Sequence, residues 1–124
     1  MQAILDSGFI LYAMRKKIDF ISQLKKQGFV VRVPGEVLQE LKDRRMGSSP
    51  SHEERMMIDE ALIMLEKDKV KHINIGSQKI SDWFIEKGKE GYYIATTNSK
   101  IKNKVPKLIV AFESTGTVGP RENR

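Results

Sequence analysis

The sequence predicts an α/β protein: a three-layer sandwich with helices on both faces of a parallel sheet of four to five strands. Three observations carry the prediction. Short β-rich apolar runs alternate with stretches of helical periodicity. With 40% hydrophobic and 31% charged residues, the 124-residue chain has material for one core of ordinary size. Right-handed crossovers between parallel strands would put all the strand C-termini on one edge, and the chain's distinctive polar residues fall at those ends or one helical turn beyond.

The chain opens on an apolar run, Ala3-Ile4-Leu5, that stops at a carboxylate, Asp6. Ser7 and Gly8 then turn it into a helical stretch from Phe9 to Met14. Asp19 to Lys26 is a second amphipathic helix with Ile18, Ile21 and Leu24 on one face, and Gly28 suits its C-cap. Phe29 to Val33 is β-rich and forms the second strand. Pro34 fits the first turn of the next helix, where its missing N–H costs nothing; that helix runs to about Arg45 and buries Val37, Leu38 and Leu41. Ser51 and Glu54 make a capping box for a helix with Met57, Ile58, Ala61, Leu62 and Leu65 on its inner face. Lys69 to Ile75 is the third strand and Lys79 to Lys87 a helix. Tyr92 to Thr96 is the fourth strand, Asn98 to Lys104 a short helix, and Leu108 to Phe112 the last strand. Residues 1–113 thus make the domain. Residues 114–124, rich in Gly, Thr and charge with little to bury, are expected to form a loose tail.

Composition narrows the function classes. The absence of cysteine excludes disulfides, thiolate metal sites and thiol catalysis, and fits a cytoplasmic protein. No apolar run approaches the ~20 residues that a membrane helix needs, and Met1 onwards reads as strand rather than signal peptide. No glycine-rich phosphate loop follows a strand, which argues against P-loop nucleotide hydrolysis. The net charge of +6 favours a polyanionic partner. His52 and His72 stand far apart, without partners at metal-ligand spacing.

Within this basic chain the candidate functional groups are acidic. Asp6 at the lip of the sheet serves equally as an N-cap and as a metal ligand. Glu36 and Glu40 lie one helical turn apart; Glu40, beside Leu38 and Leu41, is the candidate ligand, and Glu36 supports the helix start or the ligand from behind. Asp82, in the first turn of its helix, could point over the sheet edge towards Asp6. Thr96, Thr97 and Asn98 follow the fourth strand, as caps or as partners of a phosphate or a metal-bound water. These groups are expected to meet around a divalent metal, Mg²⁺ or Mn²⁺, with Ser7 assisting. Lys100, Lys102, Lys104 and Lys107 would grip a nucleic-acid backbone next to it.

Four segments, in this order and spacing, resemble the PIN domain, a small metal-dependent nuclease fold found in VapC-type toxins and ribosomal-RNA processing factors. They are Ile4-Leu5-Asp6-Ser7-Gly8-Phe9-Ile10, Val33 to Leu41, Ile80-Ser81-Asp82-Trp83-Phe84-Ile85, and Tyr93 to Lys102. The likeness covers residues 2 to about 112 and is greatest to the small-subunit rRNA-processing branch. It implies that Asp6, Glu40 and Asp82 are the first three metal-binding acids. The family often has two adjacent acids at the third position, where this chain has Ser81-Asp82. The fourth acid's place falls on Asn98, which offers an oxygen but no charge.

The resemblance therefore implies an Mg²⁺- or Mn²⁺-dependent endoribonuclease, with RNA as partner and rRNA processing as a possible setting. A PIN-like module that binds RNA or an assembly partner without cutting is the alternative that Asn98 favours. A toxin held by an antitoxin is a third. PIN-like domains often pair, and Ile10, Leu11 and Met14 could serve a homodimer contact as well as the core.

Overall fold

The computed structural model describes residues 1–122. Six strands and six helices follow one another as β1 (Gln2–Leu5), α1 (Ser7–Arg15), α2 (Phe20–Lys26), β2 (Val30–Pro34), α3 (Gly35–Met46), α4 (His52–Lys67), β3 (Lys71–Ile73), α5 (Ile80–Lys89), β4 (Tyr93–Ala95), α6 (Ser99–Lys102), β5 (Lys107–Phe112) and β6 (Thr117–Glu122). The sheet order is β3-β2-β1-β4-β5-β6. The first five strands are parallel, and β6 returns antiparallel to β5.

The predicted architecture is present, with one strand more than expected. β1 runs through the middle because it is apolar on both sides: Ala3, Ile4 and Leu5 have no exposed surface. The chain lays β2 and then β3 on one flank of β1, and afterwards crosses to its other flank with β4 and β5. Right-handed crossovers then put α1, α3 and α4 on one face and α5 and α6 on the other. The contacts agree, since α1, α3 and α4 touch one another and α5 touches α6. Arg44–Glu54 and Arg45–Asp59 ion pairs tie α3 to α4.

The core is continuous and includes Phe9, Phe20, Ile58, Leu65, Phe84 and Ile94. Ile10 and Leu11 are buried in it and Met14 packs against it, so of the two uses open to this stripe, core or homodimer contact, it serves the core. Pro34 closes β2 and occupies the N-cap of α3 rather than its first turn.

The segment expected to be a loose tail is the largest correction within the described residues. Thr117–Glu122 is β6, paired with β5 from Lys107↔Glu122 to Phe112↔Thr117. Val118 is 2% exposed. Gln23 and Gln27 on α2 grip its backbone: the Val118 N–H donates to Gln23 Oε1 at 2.8 Å, and Gln27 Nε2 donates to the Val118 carbonyl at 2.8 Å. One buried valine and two long-range glutamine contacts hold a strand whose local sequence reads as loop.

Candidate metal and nucleic-acid site

The order of strands selects the location. β1 and β4 are neighbours, but the chain leaves them in opposite directions across the sheet. Their C-terminal ends open into a crevice at this switch point, where open α/β sheets bind ligands. Leu5 pairs with Ala95, so the next residues, Asp6 and Thr96, stand side by side at the lip.

Asp6 is 8% exposed and fully engaged. One carboxylate oxygen accepts the Phe9 N–H at 2.8 Å, capping α1. The other accepts the Thr96 hydroxyl, itself 2% exposed. Thr96 Oγ1 in turn accepts the Asn98 N–H at 3.0 Å. Burial pushes the Asp6 carboxyl above its ordinary value of 3.8, and the Thr96 and Phe9 hydrogen bonds pull it back. The charge on Glu40 adds to the rise, and the Lys102 ammonium opposes it. Capping and ligand duty, the two sequence readings of Asp6, are compatible in one side chain here.

Asp6, Ser7, Glu40, Ser81, Thr97 and Asn98 line a hollow of about 320 Å³ on this edge, with Ile80 and Ile101 at its apolar wall. Glu40 is solvent-exposed and receives the Ser7 hydroxyl at 3.2 Å, which holds it to the start of α1. Gly8 is required by close approach: a Cβ there would stand 2.5 Å from Thr97 Oγ1. Any side chain at position 8 would push the β4–α6 turn away from Asp6.

Asp82 and Glu36 are not among the residues that line this hollow. Asp82 is exposed in the first turn of α5 and does not line the hollow; its neighbour Ser81 does. Among the described residues no three His, Cys, Asp or Glu side chains stand close enough together to hold a metal ion. Glu36 is likewise elsewhere. Its carboxylate accepts the Ile75 N–H at 3.2 Å and the Gly76 N–H at 3.3 Å, fastening α3 to the connection that follows β3. Its own backbone N–H, then that of Ile75, holds the Glu36 carboxyl below its ordinary value.

Asn98 caps α6. Its Oδ1 accepts from Lys100 N at 2.9 Å and Ile101 N at 3.4 Å. The amide oxygen's two acceptor positions are thereby used within the helix. The lysines also separate. Lys100 is exposed on α6, and Lys102 is half-buried near Asp6. Lys107 begins β5, at the opposite edge of the sheet, with its ammonium 5.4 Å from the centre of the Tyr93 ring. Lys104, in the return towards β5, is exposed.

The donor set suits a hard divalent ion in kind. Two carboxylates and the Ser81 and Thr97 hydroxyls are oxygen ligands of the sort that Mg²⁺ and Mn²⁺ prefer, with water completing the coordination. In number it suits one weakly held ion.

The described residues align with the solved structure of the PIN domain endonuclease Utp24 at a TM-score of 0.71 and 15% sequence identity, covering 98% of this chain and 92% of that one. The fold is that of a PIN domain. No family profile matches the chain, and no curated protein matches it by sequence. No helix among the described residues is long and apolar enough to cross a membrane.

Proposed function

We propose that this PIN-fold chain is an endoribonuclease acting on RNA with one divalent ion, Mg²⁺ or Mn²⁺, held by Asp6 and Glu40. The observation that carries the reading is the joint placement of these two carboxylates in a hollow at the β1–β4 switch point. Held by Asp6 and Glu40, such an ion would supply activation of water and neutralisation of charge on the phosphate. The chain's own groups do the rest. Thr96 and Phe9 lock the Asp6 carboxylate in place. Ser7 orients Glu40. The Ser81 and Thr97 hydroxyls can donate to phosphate oxygens, and Lys102 and Lys100 add positive charge on the same side. Processing of ribosomal RNA is the role that the resemblance to that branch supports.

The second reading, a PIN-like module that binds RNA without cutting it, is favoured by the absence of Asp82 from the lining of the hollow and by the capping role of Asn98. One experiment separates them. A labelled structured RNA is incubated with the chain over a range of Mn²⁺, in parallel with Asp6→Asn and with EDTA. Cleavage that needs Mn²⁺ and disappears with Asp6→Asn supports the nuclease. RNA binding with no product at any Mn²⁺ concentration supports the binder, and cleavage unchanged in Asp6→Asn removes the hollow from the mechanism.

A further inference from the structure

Next to the carboxylate hollow lies a second cleft of about 420 Å³, between α1, α6 and the β5–β6 hairpin. The two share Thr97. Tyr12, Val110 and Phe112 supply its apolar surface, and Lys102 and Arg121 supply charge; no carboxylate lines it. Its size is in the range of small-ligand sites, about 300–1,000 Å³.

Phe112 is 44% exposed, the one aromatic ring among the described residues that is left so open. It sits at the end of β5, with Gly119 of β6 beside it: a Cβ on Gly119 would meet the ring at 3.6 Å. Residues directly opposite on an antiparallel pair share a face. The register Leu108↔Arg121, Val110↔Gly119 and Phe112↔Thr117 therefore puts Val110, Phe112 and Arg121 on one face of the hairpin. The Arg121 side chain makes no hydrogen bond or ion pair among the described residues. Glu113, the acid next to Phe112 in the chain, faces Lys16 at 3.9 Å. Lys102 borders this cleft and also acts on Asp6, so it spans the two cavities.

An open aromatic ring, two cations, no acid in the lining and a shared wall with the carboxylate hollow describe a place for a nucleotide. We infer that this cleft is a nucleobase subsite for single-stranded RNA. One unpaired base stacks on Phe112, and Arg121 and Lys102 hold the phosphates on either side of it. The strand is thereby led into the hollow of Asp6 and Glu40. The inference rests on RNA being the substrate, as proposed above, and adds that the strand is unpaired at this point. It also gives β6 a purpose, since the hairpin forms one wall of the cleft.

The test measures binding of a short fluorescein-labelled oligouridylate by anisotropy, in EDTA so that nothing is cut, beside an RNA duplex of the same length. Phe112→Ala should weaken the single strand about tenfold, the loss expected when one stacked base is given up, and leave the duplex unchanged. Phe112→Tyr should bind as the parent does, which separates loss of stacking from loss of fold. Arg121→Ala should reduce the slope of log Kd against log salt by about 0.7, one phosphate contact on a single strand. If the parent binds the single strand and Phe112→Ala binds it equally well, or loses single strand and duplex alike, the subsite is refuted while an RNA substrate stands. If the parent binds neither RNA, the proposed function fails and the subsite with it.

Discussion

Asn98→Asp is the sharpest probe of the hollow. The substitution exchanges an amide for a carboxylate without adding a heavy atom. The cap on α6 is kept, because a carboxylate accepts from Lys100 N and Ile101 N as the amide does. A negative charge is also favoured at a helix start. What changes is the charge facing a cation, from two carboxylates to three. Two unit charges about 4 Å apart interact by about 4 kcal/mol at an effective dielectric of ~20. Asn98 is exposed, so solvent reduces this to ~1 kcal/mol per pair of unit charges. Doubling for a divalent ion gives ~2 kcal/mol, a Kd for Mn²⁺ about thirtyfold lower. Isothermal titration with Mn²⁺ reads this directly. A melting curve in EDTA close to the parent's, with a larger rise on adding Mn²⁺, should accompany it by linkage. A Kd within about threefold of the parent's, less than half the expected free-energy gain, would mean that the hollow is not where the ion sits.

Three further outcomes follow from the same structure. Ser81→Asp should also tighten Mn²⁺, whereas Asp82→Asn, outside the lining of the hollow, should leave Mn²⁺ binding and any cleavage unaltered; a metal site lost with Asp82→Asn would place Asp82 at the ion. Because burial raises the Asp6 carboxyl, the folded state keeps this proton to higher pH than the unfolded chain does. In EDTA, stability should therefore fall as pH rises from about 3.8 through the folded-state pKa. Denaturant melts of Asp6→Asn should lack that limb, and its persistence would assign it to another group. Gly88→Ala should destabilise the protein by ~1–3 kcal/mol in urea melts, because its Cβ would stand 2.7 Å from Val105 Cβ and 3.3 Å from Ile94 Cγ1. A gain instead would mean that Val105 yields and helix propensity, ~1 kcal/mol in favour of alanine, prevails.

What the sequence determined by itself is the part set by local pattern. Alternating apolar runs and helical periodicities lead to the layered α/β fold. The inner face of α4, read from Met57, Ile58, Ala61, Leu62 and Leu65, has Ile58, Ala61 and Leu65 in the core. Strand-end polarity locates Asp6 and Thr96 at one lip, because a strand's last residue and the next helix's cap are neighbours in the chain as well as in space. The PIN-like order of segments is legible for the same reason.

Tertiary structure decided what depends on rotation and on distant partners. That Ser81 lines the hollow depends on how α5 docks through the buried Trp83, Phe84 and Ile85. Glu36 finds its partners at Ile75 and Gly76, which no local pattern announces. The chain's end becomes a strand because Gln23 and Gln27, more than ninety residues earlier, and the edge of β5 satisfy its backbone. A strand's hydrogen-bonding partners lie outside its own sequence. An apolar-poor segment can therefore belong to a sheet, and Arg121 reaches the candidate RNA groove only through that pairing.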